Sequence, residues 1–79
     1  MRWLFVKAEE TADLIIFWYG FESDVTDGVI VYDKRTKKHK VIRPCGSDSG
    51  RDWRIQRTET QFVKVVREGF PDRRWVIMG

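Results

Sequence analysis

Both alternating faces of the first two strand-like segments are apolar, and nothing else in this chain constrains its fold so tightly. Residues Arg2 to Ala8 set Trp3 and Phe5 against Leu4 and Val6, and residues Leu14 to Phe21 set Ile15, Phe17 and Tyr19 against Leu14, Ile16 and Trp18. Side chains along a strand point alternately to the two sides of a sheet, so segments like these need cover on both. The second segment also fits a helical spacing at Ala12, Ile15, Ile16 and Tyr19, but β-branched and aromatic residues fill it, which favours a strand. With the polar Glu9-Glu10-Thr11 between them as a turn, the two segments read as a hairpin.

A second hairpin follows. Asp27-Gly28 is a turn pair, and Val29 to Tyr32 meets Lys38 to Arg43 across Asp33-Lys34-Arg35-Thr36-Lys37. Pro44 closes the last strand because it has no N–H to give to the ladder. Ile55, Thr58, Phe62 and Val66 then recur at helical steps. The helix starts either near Arg51, with Ser49 and Asp52 as a capping box, or at Thr58, whose partner would be Gln61. Its end is marked by Lys64 and Arg67, by Gly69 as a left-handed cap and by Pro71. A short strand, Arg74 to Met78, completes an α+β fold in the order β-β-β-β-α-β: an antiparallel sheet with one helix on one face.

At 79 residues the chain reads as one domain spanning 1–79. The lone Cys45 rules out an intrachain disulfide and suits a reducing compartment, and C-x-x-C and C-x-x-H pairs are absent, so no metal or cofactor is implied. The longest apolar run, Leu14 to Tyr19, is a third of the roughly 18 residues that span a bilayer, and the block Trp3 to Val6 is too short for a signal-peptide core. A cytoplasmic protein is the expectation.

Tyr19-Gly20-Phe21-Glu22-Ser23, Asp27-Gly28, Tyr32-Asp33-Lys34 and Glu68-Gly69-Phe70-Pro71, taken together, resemble a set of short uncharacterised bacterial proteins of about this length. The resemblance spans nearly the whole chain, implies a bacterial cytoplasmic protein, and carries no activity or site residues with it.

Four features invite a functional reading. One helix covers one face of a sheet, so the other apolar face, around Trp3, Phe5, Trp18 and Trp75, is expected to meet a second copy of the chain or another protein; the competing reading folds the loop Glu22 to Asp27 and the segment around Trp53 over it. Aromatic residues and arginine, which tend to dominate interface energies, are plentiful. Charge is sorted along the chain, acidic before residue 31 and strongly basic from Val31 to Cys45, so Lys34, Lys37, Lys38, Lys40 and Arg43 form a basic hairpin able to lie along a nucleic-acid backbone, or to protect a sheet edge. Cys45-Gly46-Ser47-Asp48-Ser49-Gly50-Arg51 has the cysteine-to-arginine spacing of the cysteine-phosphatase loop, although Asp48 puts a carboxylate where a dianion would bind and the chain is short for the parallel sheet of those enzymes. Finally, His39 reads as a solvated strand residue, and Glu9, Glu10, Asp24 and Asp27 as turn residues whose spacing matches no calcium loop. The reading that results is a non-enzymatic interaction module, with weak nucleic-acid binding as its alternative and thiol chemistry at Cys45 and Arg51 more remote.

Overall fold

The computed structural model describes residues 1–48 and 50–78. Its elements are β1 (Arg2–Glu10), β2 (Leu14–Phe21), β3 (Gly28–Asp33), β4 (Lys38–Arg43), α1 (Asp52–Arg67) and β5 (Arg73–Ile77). The strands form one antiparallel sheet in the order β4-β3-β2-β1-β5, with the helix between β4 and β5 in sequence.

The first turn falls later than the polar run suggests. A register irregularity between Lys7 and Glu9 lets β1 continue to Glu10, and the turn is Thr11 to Asp13. Glu10 is held there by Lys34 Nζ at 2.8 Å, and that charge pair keeps its carboxyl below the ordinary carboxylate range. In the second hairpin Asp33 Oδ1 accepts from the amides of Arg35 and Thr36, and Lys37 takes up a left-handed φ of 58°. The helix begins at Asp52 with Arg51 as N-cap and no side-chain cap. Ser49, expected to cap it, lies outside the described residues, and Thr58, the other candidate cap, sits in the second turn with its hydroxyl committed to the core. At the far end Gly69 is left-handed, and the amides of Glu68, Gly69 and Phe70 bond back to the carbonyls of Lys64, Val66 and Val65.

The helix settles which sheet face is the core. Phe62 stands edge-on to both Phe5 and Phe17 at 5.2 Å and packs on His39 at 5.1 Å. Around it lie Trp3, Ile15, Tyr19, Ile30, Val41, Val65 and Val76, all buried. His39, expected to be solvated, is half-buried at the edge of the core: its Nε2 donates to the Glu59 carbonyl oxygen at 2.6 Å, which fixes the proton on that nitrogen. Glu59 also reaches the edge strand, where its Oε2 accepts from the Val41 amide at 2.9 Å and satisfies a donor that β4 would otherwise turn outward.

Truncating the central ring, Phe62→Ala, should cost about 3–5 kcal/mol of unfolding free energy, whereas Ile42→Ala, on an exposed side chain of the opposite face, should stay within about 0.5 kcal/mol; equilibrium denaturant melts of the two variants check the assignment of the core face.

Candidate functional site: the uncovered sheet face

Pairing registers place the remaining strand side chains on a second face that no helix touches. One row across the sheet runs Arg73, Val6, Trp18, Val29 and Arg43; a second runs Trp75, Leu4 and Gly20; a third runs Ile16, Val31 and Lys40; and Leu14, Asp33 and Lys38 form a fourth. Arg2 pairs with Ile77 at the fourth corner. Leu4 at the centre is only 1% exposed, Trp18 is 39% exposed, and Ile42 and Ile77 exceed 60%. Beside β4 the face dips into a groove of about 540 Å³ lined by Leu14, Val31, Lys38, Lys40 and Ile42, among others.

The loop after β2 lies at one end of the face, where it meets Gly20 and where the Asp27 carbonyl oxygen accepts from Arg43 Nε at 3.2 Å. A side chain at Gly20 would run into the Val25 carbonyl, so glycine lets the loop close over that end of the face. Trp53 does not help to cover it: the residue is 53% exposed beside Arg54 on the helix. Among the described residues the internal lid is thus at the end of the face that holds Gly20 and Arg43.

Four residues were expected to share the surface, and the fold separates them. Trp18 and Trp75 are on the open face. Trp3 and Phe5 are at 0% exposure beneath the helix, because strand alternation places them with Phe17 and Tyr19, whose side the helix covers. Leu4, Val6, Ile16, Val29 and Val31 take their place.

The basic hairpin divides in the same way. Lys34 turns back to Glu10 and to the Thr11 carbonyl oxygen at 2.7 Å, and Lys37 sits in the turn. Lys38, Lys40 and Arg43 join the open face. The Arg43 guanidinium lies over the Trp18 ring at 5.5 Å, and Arg2 lies over Trp75 at 4.8 Å. Aromatic and basic features that are remote in sequence therefore make one surface: an apolar centre between a cationic margin on β4 and another at Arg2 and Arg73. Its acids are Glu9, Asp33, Glu59 in the groove beside β4 and, beside Arg2, Glu22.

The phosphatase-like loop is built as a structural anchor. Asp48 is fully buried, and its Oδ2 accepts from the Tyr19 hydroxyl at 3.0 Å and the Thr58 hydroxyl at 2.9 Å, while Oδ1 faces Arg54 Nη1 at 3.9 Å. Trp3 Nε1 donates to Thr58 Oγ1 at 2.8 Å, and the Cys45 amide donates to the Tyr19 oxygen at 3.0 Å. Gly28 permits this arrangement, since a Cβ there would collide with the Tyr19 ring. Burial, and then the Asp48 charge, push the Cys45 thiol above its ordinary pKa, the reverse of what thiolate chemistry requires. Arg51 is exposed and its amide bonds to the Asp48 carbonyl oxygen.

The acidic residues expected in turns do not converge: Glu10 is at the β1–β2 turn, whereas Asp24 and Asp27 follow β2 at its other end. Among the described residues no group of three potential metal ligands comes together, and no helix is long and apolar enough to cross a membrane.

Two predictions follow from the anchor. Thr58→Val leaves the Trp3 N–H and Asp48 short of a partner and should cost about 1–3 kcal/mol, while Thr58→Ser should recover most of it; denaturant melts measure both. Burial raises the pKa of Tyr19 as well as that of Cys45, so the unfolded chain releases these protons at lower pH than the folded one. Stability should accordingly fall as pH rises past the ordinary thiol and phenol values, about 8.5 and 10, and Cys45→Ala should delay the onset of that fall in melts across the alkaline range.

Compared with protein families, with curated proteins and with solved structures, the chain has no match.

Proposed function

We propose that this protein is a non-enzymatic interaction module, cytoplasmic as its single thiol suggests, and that its working surface is the open sheet face. One observation carries the reading. Among the described residues a five-stranded sheet places Val6, Leu14, Ile16, Val29, Val31 and Trp75, all half-buried, and the exposed Trp18 around the buried Leu4 on the side away from α1, with Ile42 and Ile77 exposed at its margins. Sheets in stable domains pack an apolar face against something, and contiguous exposed apolar surface on a small domain marks an interaction site.

Charge argues that the partner is not a second copy. Two copies stacked face to face by a twofold axis along the strands set β4 of one over β5 of the other; an axis across the strands sets β4 over β4. The first arrangement sets Arg43 over Arg73, and the second sets the cations of β4 over those of the other copy's β4. Like charges opposed across an interface disfavour that pairing.

Light scattering over a concentration series should therefore find a monomer near physiological salt. Self-association should appear at about 1 M salt, where screening shortens the Debye length to roughly 3 Å, and Trp18→Lys should abolish it without shifting the melting temperature by more than a few degrees. A dimer at low salt would replace the heterologous reading with self-assembly, and association indifferent to Trp18→Lys would remove the open face from consideration.

A further inference from the structure

We infer that the occupant of the open face is single-stranded nucleic acid. The inference rests on the reading of that face as the working surface and adds the chemistry of its partner. The argument is one of complementarity. An acidic apolar peptide would suit the charge, but two further features ask for a partner with flat rings and regularly spaced anions.

The first is the pair of indoles. Trp18 on β2 and Trp75 on β5 flank β1, paired to Val6 and Leu4 respectively. Two strand spacings across and two residues along put their backbones about 12 Å apart on one flat surface. Leu4 and Val6 form the floor between them. Bases stack on aromatic side chains and on guanidinium planes whatever their sequence. Each indole here also has a guanidinium over its ring, Arg43 at 5.5 Å and Arg2 at 4.8 Å, so a base stacks on the guanidinium plane or takes its place on the indole, leaving the cation beside the phosphate.

The second feature is how the cations are committed. Elsewhere among the described residues Lys34 is paired with Glu10, Lys7 with Glu10 and Asp72, Arg54 with Asp48, and Arg74 with Glu68 through a two-pronged bond at 2.7 and 3.0 Å, while the cations at the helix ends and in the turns stand apart from carboxylates. On the open face Lys38, Lys40, Arg43 and Arg73 have no carboxylate within ion-pair distance among the described residues, and Arg2 alone shares Glu22. Asp33, the acid nearest Lys38, spends Oδ1 on the turn amides. Lys38 and Lys40 line the groove beside β4 together with Leu14, Val31 and Ile42, and with Asp33 and Glu59, whose carboxylates are bonded to the turn amides and to the Val41 amide. A strand laid across the sheet sets phosphates along that margin and bases on the apolar centre. Duplex buries its base faces and has none to stack on the indoles, so the surface discriminates against it.

Fluorescence anisotropy with fluorescein-labelled dT12 and rU12 tests this, with a hairpin duplex as comparison and salt varied from about 50 to about 200 mM. Binding to the single strands is expected with a slope of log affinity against log salt between about −2 and −3.5, the value for three to five phosphate contacts. The duplex should bind at least about tenfold more weakly. Trp18→Ala should lower affinity about tenfold with the slope unchanged, because stacking is lost and charge is not. Lys38→Gln with Lys40→Gln should flatten the slope by about 1.4. Arg67→Gln removes the same kind of charge from the exposed end of the helix and should change affinity less than twofold. Each variant is checked by its melting curve.

Equal affinity for duplex, or equally effective competition by poly-glutamate, would overturn the inference by reducing the face to a charged surface. No binding to either oligonucleotide at about 50 mM salt would also overturn it. In that case the salt-driven association of the parent protein, and its loss in Trp18→Lys, still decides separately whether the open face is an interaction surface.

Discussion

A single helix about 10 Å across has to serve a five-stranded sheet about 19 Å wide, and most of this structure follows from that mismatch. The helix covers one face only, and does so with one large ring at the centre: Phe62 meets Phe5, Phe17 and His39 together. The flanks of the core are finished by Trp3, Tyr32 and Val76. Among the described residues no second helix packs on the other side. After α1 the ten residues up to Ile77 are used by the helix cap, the Pro71 turn and β5.

The helix is also held by direction-specific bonds. Trp3, Tyr19 and Thr58 converge on the buried Asp48, and Arg54 closes the far side of the carboxylate. Apolar packing alone would tolerate a slide along the sheet; a buried carboxylate bonded to two hydroxyls from different elements does not, since a shift would leave it desolvated and unpaired. The same network immobilises the loop from Cys45 to Asp48, so the cysteine is a packing residue of that anchor, and the phosphatase-like spacing coexists with a loop already filled by the protein's own anion.

Legibility in the sequence varied with the range of the information needed. The order of elements was readable because it depends on local chemistry: Pro44 ends β4, Gly69 and Pro71 end α1, and Asp33 builds the turn of the second hairpin. Ends were less exact. The polar run Glu9-Glu10 looks like a turn, yet an irregularity in β1 and a bond from Lys34, far along the chain, keep Glu10 in the strand. His39 looked solvated among lysines, and a carbonyl from the helix claims it. For the open face one usable signal was present: along β4 the lysines at 38 and 40 alternate with His39 and Val41, which marks one side as wet. Carrying that mark across the sheet to Trp18 rather than Phe17 requires the pairing of Val31 with Lys40 and of Ile16 with Val31.

The sequence by itself therefore determined that there would be five strands and one late helix, that a single cysteine would stay unpaired by disulfide, and that two apolar faces would compete for one covering layer. These follow from periodicity, turn chemistry and counting, all of which act within a few residues. Only the tertiary structure decided which face the helix took, that Trp3 and Phe5 would be core while Trp18 and Trp75 stayed outside, and that three cations of the basic hairpin would share a surface with those two indoles. Alternation tells which side chains travel together along one strand, but a period of two is symmetric between the faces. The symmetry is broken by register between strands and by the bonds that dock the helix, and both join residues tens of positions apart.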